Sequence, residues 1–170
     1  MRKLIAALCL IGGLLPLTSK ASHVVGGDIY VQWVSANTYD ITVRVYRDCD
    51  GITLPTTVSL GVYDLATDAT NQTMTINLIQ QQFLDLGDSC YTPTNLCIEE
   101  GIYQITGVTI PDNPNGYYLQ TQIYARNAVI DNITNPGSTG MSFYAEMPDP
   151  ALGQNSSPDF GAYPSDGYLC

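Results

Sequence analysis

The chain carries one histidine, His23, and no lysine beyond Lys20. Nucleophilic catalysis by Ser or Cys needs a base held beside the nucleophile. His23 lies beside the expected start of an exported chain, where residues fray, and a Ser-Lys dyad has no lysine to use. Copper held by a terminal histidine would want a second imidazole. Paired carboxylates are the remaining catalytic chemistry. Glu99-Glu100 precede an expected strand from Ile102 to Ile110, and Glu146 ends one that begins at Met141. Glycoside hydrolysis uses two such groups at a set separation. Adjacent acids at a strand mouth are ordinarily solvated, and on so acidic a chain two carboxylates meet by chance, so the reading is non-catalytic.

Asp48-Cys49-Asp50-Gly51 sets two carboxylates one residue apart before a glycine, the way oxygen-ligand calcium loops begin. Ile52-Thr53-Leu54-Pro55 follows with no further acid, so the loop is not an EF-hand. It reads first as an ordinary turn, with Asp48 and Asp50 as candidate ligands of a structural calcium ion; no other cofactor is expected. Twelve Tyr against three Phe and one Trp form an aromatic set suited to surfaces, because the phenol tolerates one wet edge. Tyr117-Tyr118 must point one ring to each face of its strand. Tyr118 and Tyr124 are the candidate ligand-facing rings, for sugars or a protein partner; finishing the sheet surface is the competing reading.

Charge narrows the partners. The 170 residues hold 16 Asp+Glu against 6 Lys+Arg, a net charge of -10. Met1-Arg2-Lys3, the apolar run Leu4 to Leu17 and the small residues of Ser19-Lys20-Ala21 have the layout of a secretory signal peptide, residues 1–21. The apolar run of about fourteen residues is short for a bilayer-spanning helix, so no membrane insertion is expected after cleavage. The remaining 149 residues (170 less 21) would keep three Arg and all 16 acids, a net charge of -13. Three cations cannot neutralise a run of phosphates, which excludes nucleic acid and anionic lipid.

Export permits disulfides. Cys49, Cys90, Cys97 and Cys170 allow three pairings, and the sequence does not choose among them. A local Cys90–Cys97 clip is the first expectation, leaving Cys49 and Cys170 to pair or stay free. A zinc site fails on spacing, because no Cys-x-x-Cys exists.

The elements that must position these residues are strands. Tyr39, Ile41, Val43 and Val45 alternate with Asp40, Thr42 and Arg44, and the same period of two runs through Ile29 to Trp33, Val58 to Val62, Met74 to Leu78, Tyr117 to Ile123 and Met141 to Ala145. Half-buried strands have this pattern. Turn clusters such as Ser35-Ala36-Asn37 and Asn135-Pro136-Gly137-Ser138 separate them. The expected fold is all-β over 22–147, an antiparallel two-sheet β-sandwich of Ig-like or jelly-roll-like type, with a β-barrel as the alternative. From Pro148 to Cys170 the prolines recur without alternation, an extended strap or the start of a linker.

Four stretches together resemble one family: Ser22-His23-Val24-Val25-Gly26-Gly27-Asp28-Ile29-Tyr30, Tyr46-Arg47-Asp48-Cys49-Asp50-Gly51-Ile52, Cys97-Ile98-Glu99-Glu100-Gly101-Ile102-Tyr103 and Asn135-Pro136-Gly137-Ser138-Thr139-Gly140. Asn155-Ser156-Ser157-Pro158 and Tyr168-Leu169-Cys170 complete the likeness. It is to the N-terminal region of large secreted surface proteins of Bacteroidetes, named for a gliding-motility-associated C-terminal domain. The resemblance implies an exported, non-catalytic adhesion or interaction module on the cell surface. Its partners would be downstream β-sandwich repeats and a type IX sorting domain of the same polypeptide, with surface glycans or other surface proteins as ligands. The family commonly has a Cys-Cys pair before Arg-Asn, where this chain has Tyr124-Ala125 before Arg126-Asn127, so partners for Cys49 and Cys170 are missing. The family also continues past the position of Cys170. The chain is thus expected to be a fragment of a longer protein or a short secretory protein that stops in the periplasm.

Overall fold

The computed structural model describes residues 24–85, 87, 96–124, 126–127, 130–149 and, as backbone, 159–160. The expected signal peptide, His23, Cys90, Cys170 and most of the Pro-rich stretch lie outside these residues. Eight strands are present: β1 (Val24–Ser35), β2 (Thr38–Asp48), β3 (Thr57–Asp64), β4 (Thr70–Phe83), β5 (Ile98–Thr109), β6 (Tyr117–Ile123), β7 (Met141–Met147) and β8 (Asp159–Phe160). The alternation works as read. In β2, Tyr39, Ile41, Val43 and Val45 are fully buried while Arg44 is exposed. Each aliphatic side chain so buried is worth about 1.5–3 kcal/mol. A 3-10 turn at Pro136–Ser138 is the one helical element among the described residues, and none of their helices is long and apolar enough to cross a membrane.

The strands form one continuous sheet in the order β7-β6-β3-β4-β5-β2-β1-β8, and every neighbouring pair is antiparallel. The all-β, antiparallel class is therefore what the chain adopts. Its hydrogen bonding follows the barrel alternative more closely than two separate sheets, because the single sheet curls until β1 and β7 touch. Gly27 makes that approach feasible. A Cβ at this position would fall 2.5 Å from the Arg44 carbonyl oxygen and 2.7 Å from the Phe143 ring. Val24, almost fully buried, extends the seam through a parallel bridge to Arg126. Inside the curl lie Leu60, Val62, Ile76, Leu119 and Met147, all at 0% exposure.

The connection after β2 closes one end. Leu54 is buried against Gly101, the Tyr103 hydroxyl donates to the Pro55 carbonyl at 2.8 Å, and the Leu78 amide donates to Thr56 at 2.9 Å. The disulfide here corrects the local clip. Cys49 pairs with Cys97, at a Cα–Cα distance of 5.5 Å, within the ordinary span of a bridge. The cause is register: Asp48 faces Ile98 as the last pair of the β2–β5 ladder. The next residue outward on each strand is a cysteine, and the Cys49 amide continues the ladder to the Cys97 carbonyl at 3.1 Å. With Cys97 so engaged, no Cys90–Cys97 clip forms.

Candidate functional site

On β3, β6 and β7 the inward positions fill the core, so the outward positions are free for other work. Tyr63 faces Tyr118 across the β3–β6 ladder, and Gln120 faces Tyr144 across β6–β7. The rings form a row: Tyr63 and Tyr118 stack at 5.0 Å between centroids and 17° between planes, and Tyr118 and Tyr144 follow at 5.1 Å and 31°. Tyr144 is 53% exposed, and its hydroxyl donates to Glu146 Oε1 at 2.9 Å. The phenols of Tyr118 and Tyr144 are both held above their ordinary value, first by the hydration lost in the stack. The negative charge of Asp68 adds to the rise at Tyr118, and the bond to Glu146 adds to it at Tyr144.

Beside the row lies an open groove of about 340 Å³, lined by Ser59, Gly61, Tyr63, Thr73, Gln120, Thr121 and Gln122. None of these side chains is charged. Thr73, Gly61 and Gln120 are paired in one line across β4, β3 and β6, and Tyr144 continues that line on β7. Gly61 lies on that line beneath the Tyr63 ring. The Tyr63 ring leans over it so closely that any Cβ at 61 would collide with the ring.

Of the two expected ligand-facing rings, Tyr118 occupies the centre of this face. Tyr124 is 63% exposed just beyond the end of β6 and takes no part in the row. Asp48 and Asp50 form a closed turn: the Asp50 amide donates to Asp48 Oδ1 at 3.0 Å, and the Gly51 amide donates to the Asp48 carbonyl at 3.0 Å. Among the described residues no three His, Cys, Asp or Glu side chains are grouped as a metal site would need.

Glu99 and Glu100 do not precede their strand, as read from the sequence, but lie within β5. As neighbours there they point to opposite faces. On the outer face Gln82 donates to Glu100 Oε2 at 2.7 Å, and Arg44 lies 3.9 Å from Glu100 Oε1. Near them the Tyr46 hydroxyl reaches Asp28 at 3.4 Å. Burial, reinforced by the charges of Asp28 and Glu100, pushes the Tyr46 phenol up to about 12. Burial likewise raises Asp28, against the opposing pull of Arg44.

On the inner face Glu99 pairs with Arg47, both side chains being more than nine-tenths buried. Gln81 donates to the other carboxylate oxygen of Glu99 at 2.5 Å. One Arg47 nitrogen donates to the carbonyls of Asp48, Cys49 and Gly51 at 3.2, 3.2 and 3.0 Å. This guanidinium therefore holds the turn that the sequence offered as a calcium loop. The signal for it was present, since Arg47 occupies the inward phase of Val43 and Val45. Tyr63 and Tyr144 were missed for a different reason. Tyr63 meets Tyr118 because β3 lies beside β6, and Tyr144 meets it because β7 pairs with β6 on the other side; no local pattern announces either pairing. No family model matches this chain, and neither the curated proteins nor the solved structures contain a match to it.

Proposed function

We propose that the chain is a non-catalytic binding module of an exported bacterial surface protein, engaging its partner through the outer face of β3, β6 and β7. The observation that carries this reading is the row Tyr63–Tyr118–Tyr144 beside an uncharged groove. Three aromatic rings on the wet side of a sheet whose other side already fills the core suit recognition, because tyrosine offers large apolar area with a polar tip. The Cys49–Cys97 disulfide is compatible with an oxidising compartment. The carboxylates weighed for catalysis are each engaged by a partner: Glu99 by Arg47, Glu100 by Gln82 and Glu146 by Tyr144. The likeness to gliding-associated surface proteins supports placing further domains downstream, and the reading frame after codon 170 tests that part.

The direct test is binding of the fluorescently labelled chain to intact bacterial cells and to insoluble polysaccharides. Tyr118→Ser with Tyr144→Ser should weaken binding by at least about tenfold, the effect of losing one modest contact hot spot. Unchanged binding in a variant with unchanged melting removes this face from the function.

A further inference from the structure

We infer that the groove beside the tyrosine row is a subsite for a neutral oligosaccharide, lying across the strands along the line Thr73–Gly61–Gln120–Tyr144. The inference rests on the proposed binding role of this face and names its ligand class.

The lining chemistry selects the ligand. Gln120 and Gln122 each offer two N–H donors and a carbonyl acceptor, and Ser59 and Thr73 offer hydroxyls that donate or accept. Vicinal sugar hydroxyls, which also donate and accept, match such a set without leaving an unpaired charge. A pyranose has in addition a C–H face that packs on an aromatic ring, and Tyr63, leaning over Gly61, supplies a ring within the groove itself. The volume of about 340 Å³ lies at the low end of small-ligand sites, which run from roughly 300 to 1,000 Å³.

The strand pairing sets the direction. Thr73, Gly61, Gln120 and Tyr144 belong to four adjacent strands, which are spaced about 4.8 Å apart, so the line extends roughly 14 Å. That length suits a short run of linked rings rather than one monosaccharide. Charge then restricts which sugars enter. No cation lines the groove, the carboxylates of Asp68 and Glu146 bear on the adjacent tyrosines, and the whole chain is at -10. Uronic, sialic and sulfated sugars would bring a second negative charge with nothing to neutralise it.

The test is affinity electrophoresis of the purified chain through gels holding neutral polysaccharides (glucan, mannan, xylan) or acidic ones (alginate, polygalacturonate, heparin). Retardation by at least one neutral polymer is expected. Gln120→Leu and Tyr63→Leu should each weaken it by about tenfold, while Tyr124→Ser leaves it unchanged. A near-ultraviolet tyrosine difference spectrum on adding the corresponding soluble oligosaccharide to the unaltered chain is the second measurement, and it needs no variant to fold. Retardation by acidic polymers alone overturns the inference, as does a neutral-polymer affinity indifferent to both Gln120 and Tyr63. If no polymer retards the chain while it still binds intact cells through Tyr118 and Tyr144, the saccharide assignment falls and the binding face stands. If cell binding is also indifferent to Tyr118 and Tyr144, both fall.

Discussion

Replacing Arg47 by methionine should cost more than any change on the tyrosine face. Methionine keeps most of the apolar length of the side chain but removes the guanidinium, so Glu99 is left as a buried carboxylate with only Gln81 to bond it. Three turn carbonyls, of Asp48, Cys49 and Gly51, lose their shared donor at the same time. Removing one member of a buried pair typically costs about 3–5 kcal/mol, mainly because the surviving charge is stranded. Set against a total stability of about 5–15 kcal/mol, that is a large share. Urea denaturation followed by tryptophan fluorescence, with the disulfide intact, should show the midpoint falling at an unchanged slope. The decisive control is the pair Arg47→Met with Glu99→Gln. With the charge gone and the amide still able to bond Gln81, the double variant should recover part of the loss. A cost below about 1 kcal/mol for Arg47→Met, or a double variant worse than the single by the full cost of Glu99→Gln alone, would refute the view that this pair holds the barrel end.

Three further outcomes follow from the same structure. A non-reducing peptide map should join the Cys49 and Cys97 peptides; reducing this bridge, with its separation of 48 residues, should cost about 4 kcal/mol by loop-closure entropy, and a map joining Cys90 to Cys97 contradicts the fold. Burial pushes the Tyr103 phenol from 10.0 up to about 12, so its contribution is complete below pH 10 and is lost as pH rises toward 12; melting temperature should fall across that window, less steeply in Tyr103→Phe. The Tyr39 hydroxyl is fully buried and has no hydrogen-bond partner among the described residues, so Tyr39→Phe should be neutral or stabilising by up to about 2 kcal/mol, and a clear loss in thermal melting would expose a partner for it.

The strands were legible because period-two alternation is a local property, and Tyr39 to Val45 declares its inward face without help from any other segment. The closure of the sheet was not legible, since it depends on a glycine at 27 meeting Phe143 from the far end of the chain. The disulfide misled for a related reason. Nearness in sequence favoured Cys90 and Cys97, while the ladder register that sets Cys49 opposite Cys97 is fixed by pairing over 48 residues. On the outer face of β3, β6 and β7 only Tyr118 was legible beforehand, because its outward direction follows from the neighbouring Tyr117 being in the inward phase of Leu119 and Ile123. Tyr63 and Tyr144 became its partners through a strand order that sets β6 between β3 and β7. Glu99 and Glu100 were read as one acidic pair, yet consecutive residues in a strand cannot serve one site.

The Cys49–Cys97 bridge also sets what happens when the chain is pulled from its two ends. Cα atoms 5.5 Å apart and covalently joined cannot separate under tension. The 48 residues of separation would otherwise pay out about 160 Å of extended backbone. β3 and β4 lie wholly inside that loop, so they feel no direct stretching force while the bridge is intact. A tether built from this domain would then extend only through the segments outside the loop, with Tyr63 on the shielded segment and Tyr118 and Tyr144 on the strained one. Grip on a ligand held across all three rings would thus be governed by how far β6 is drawn from β3.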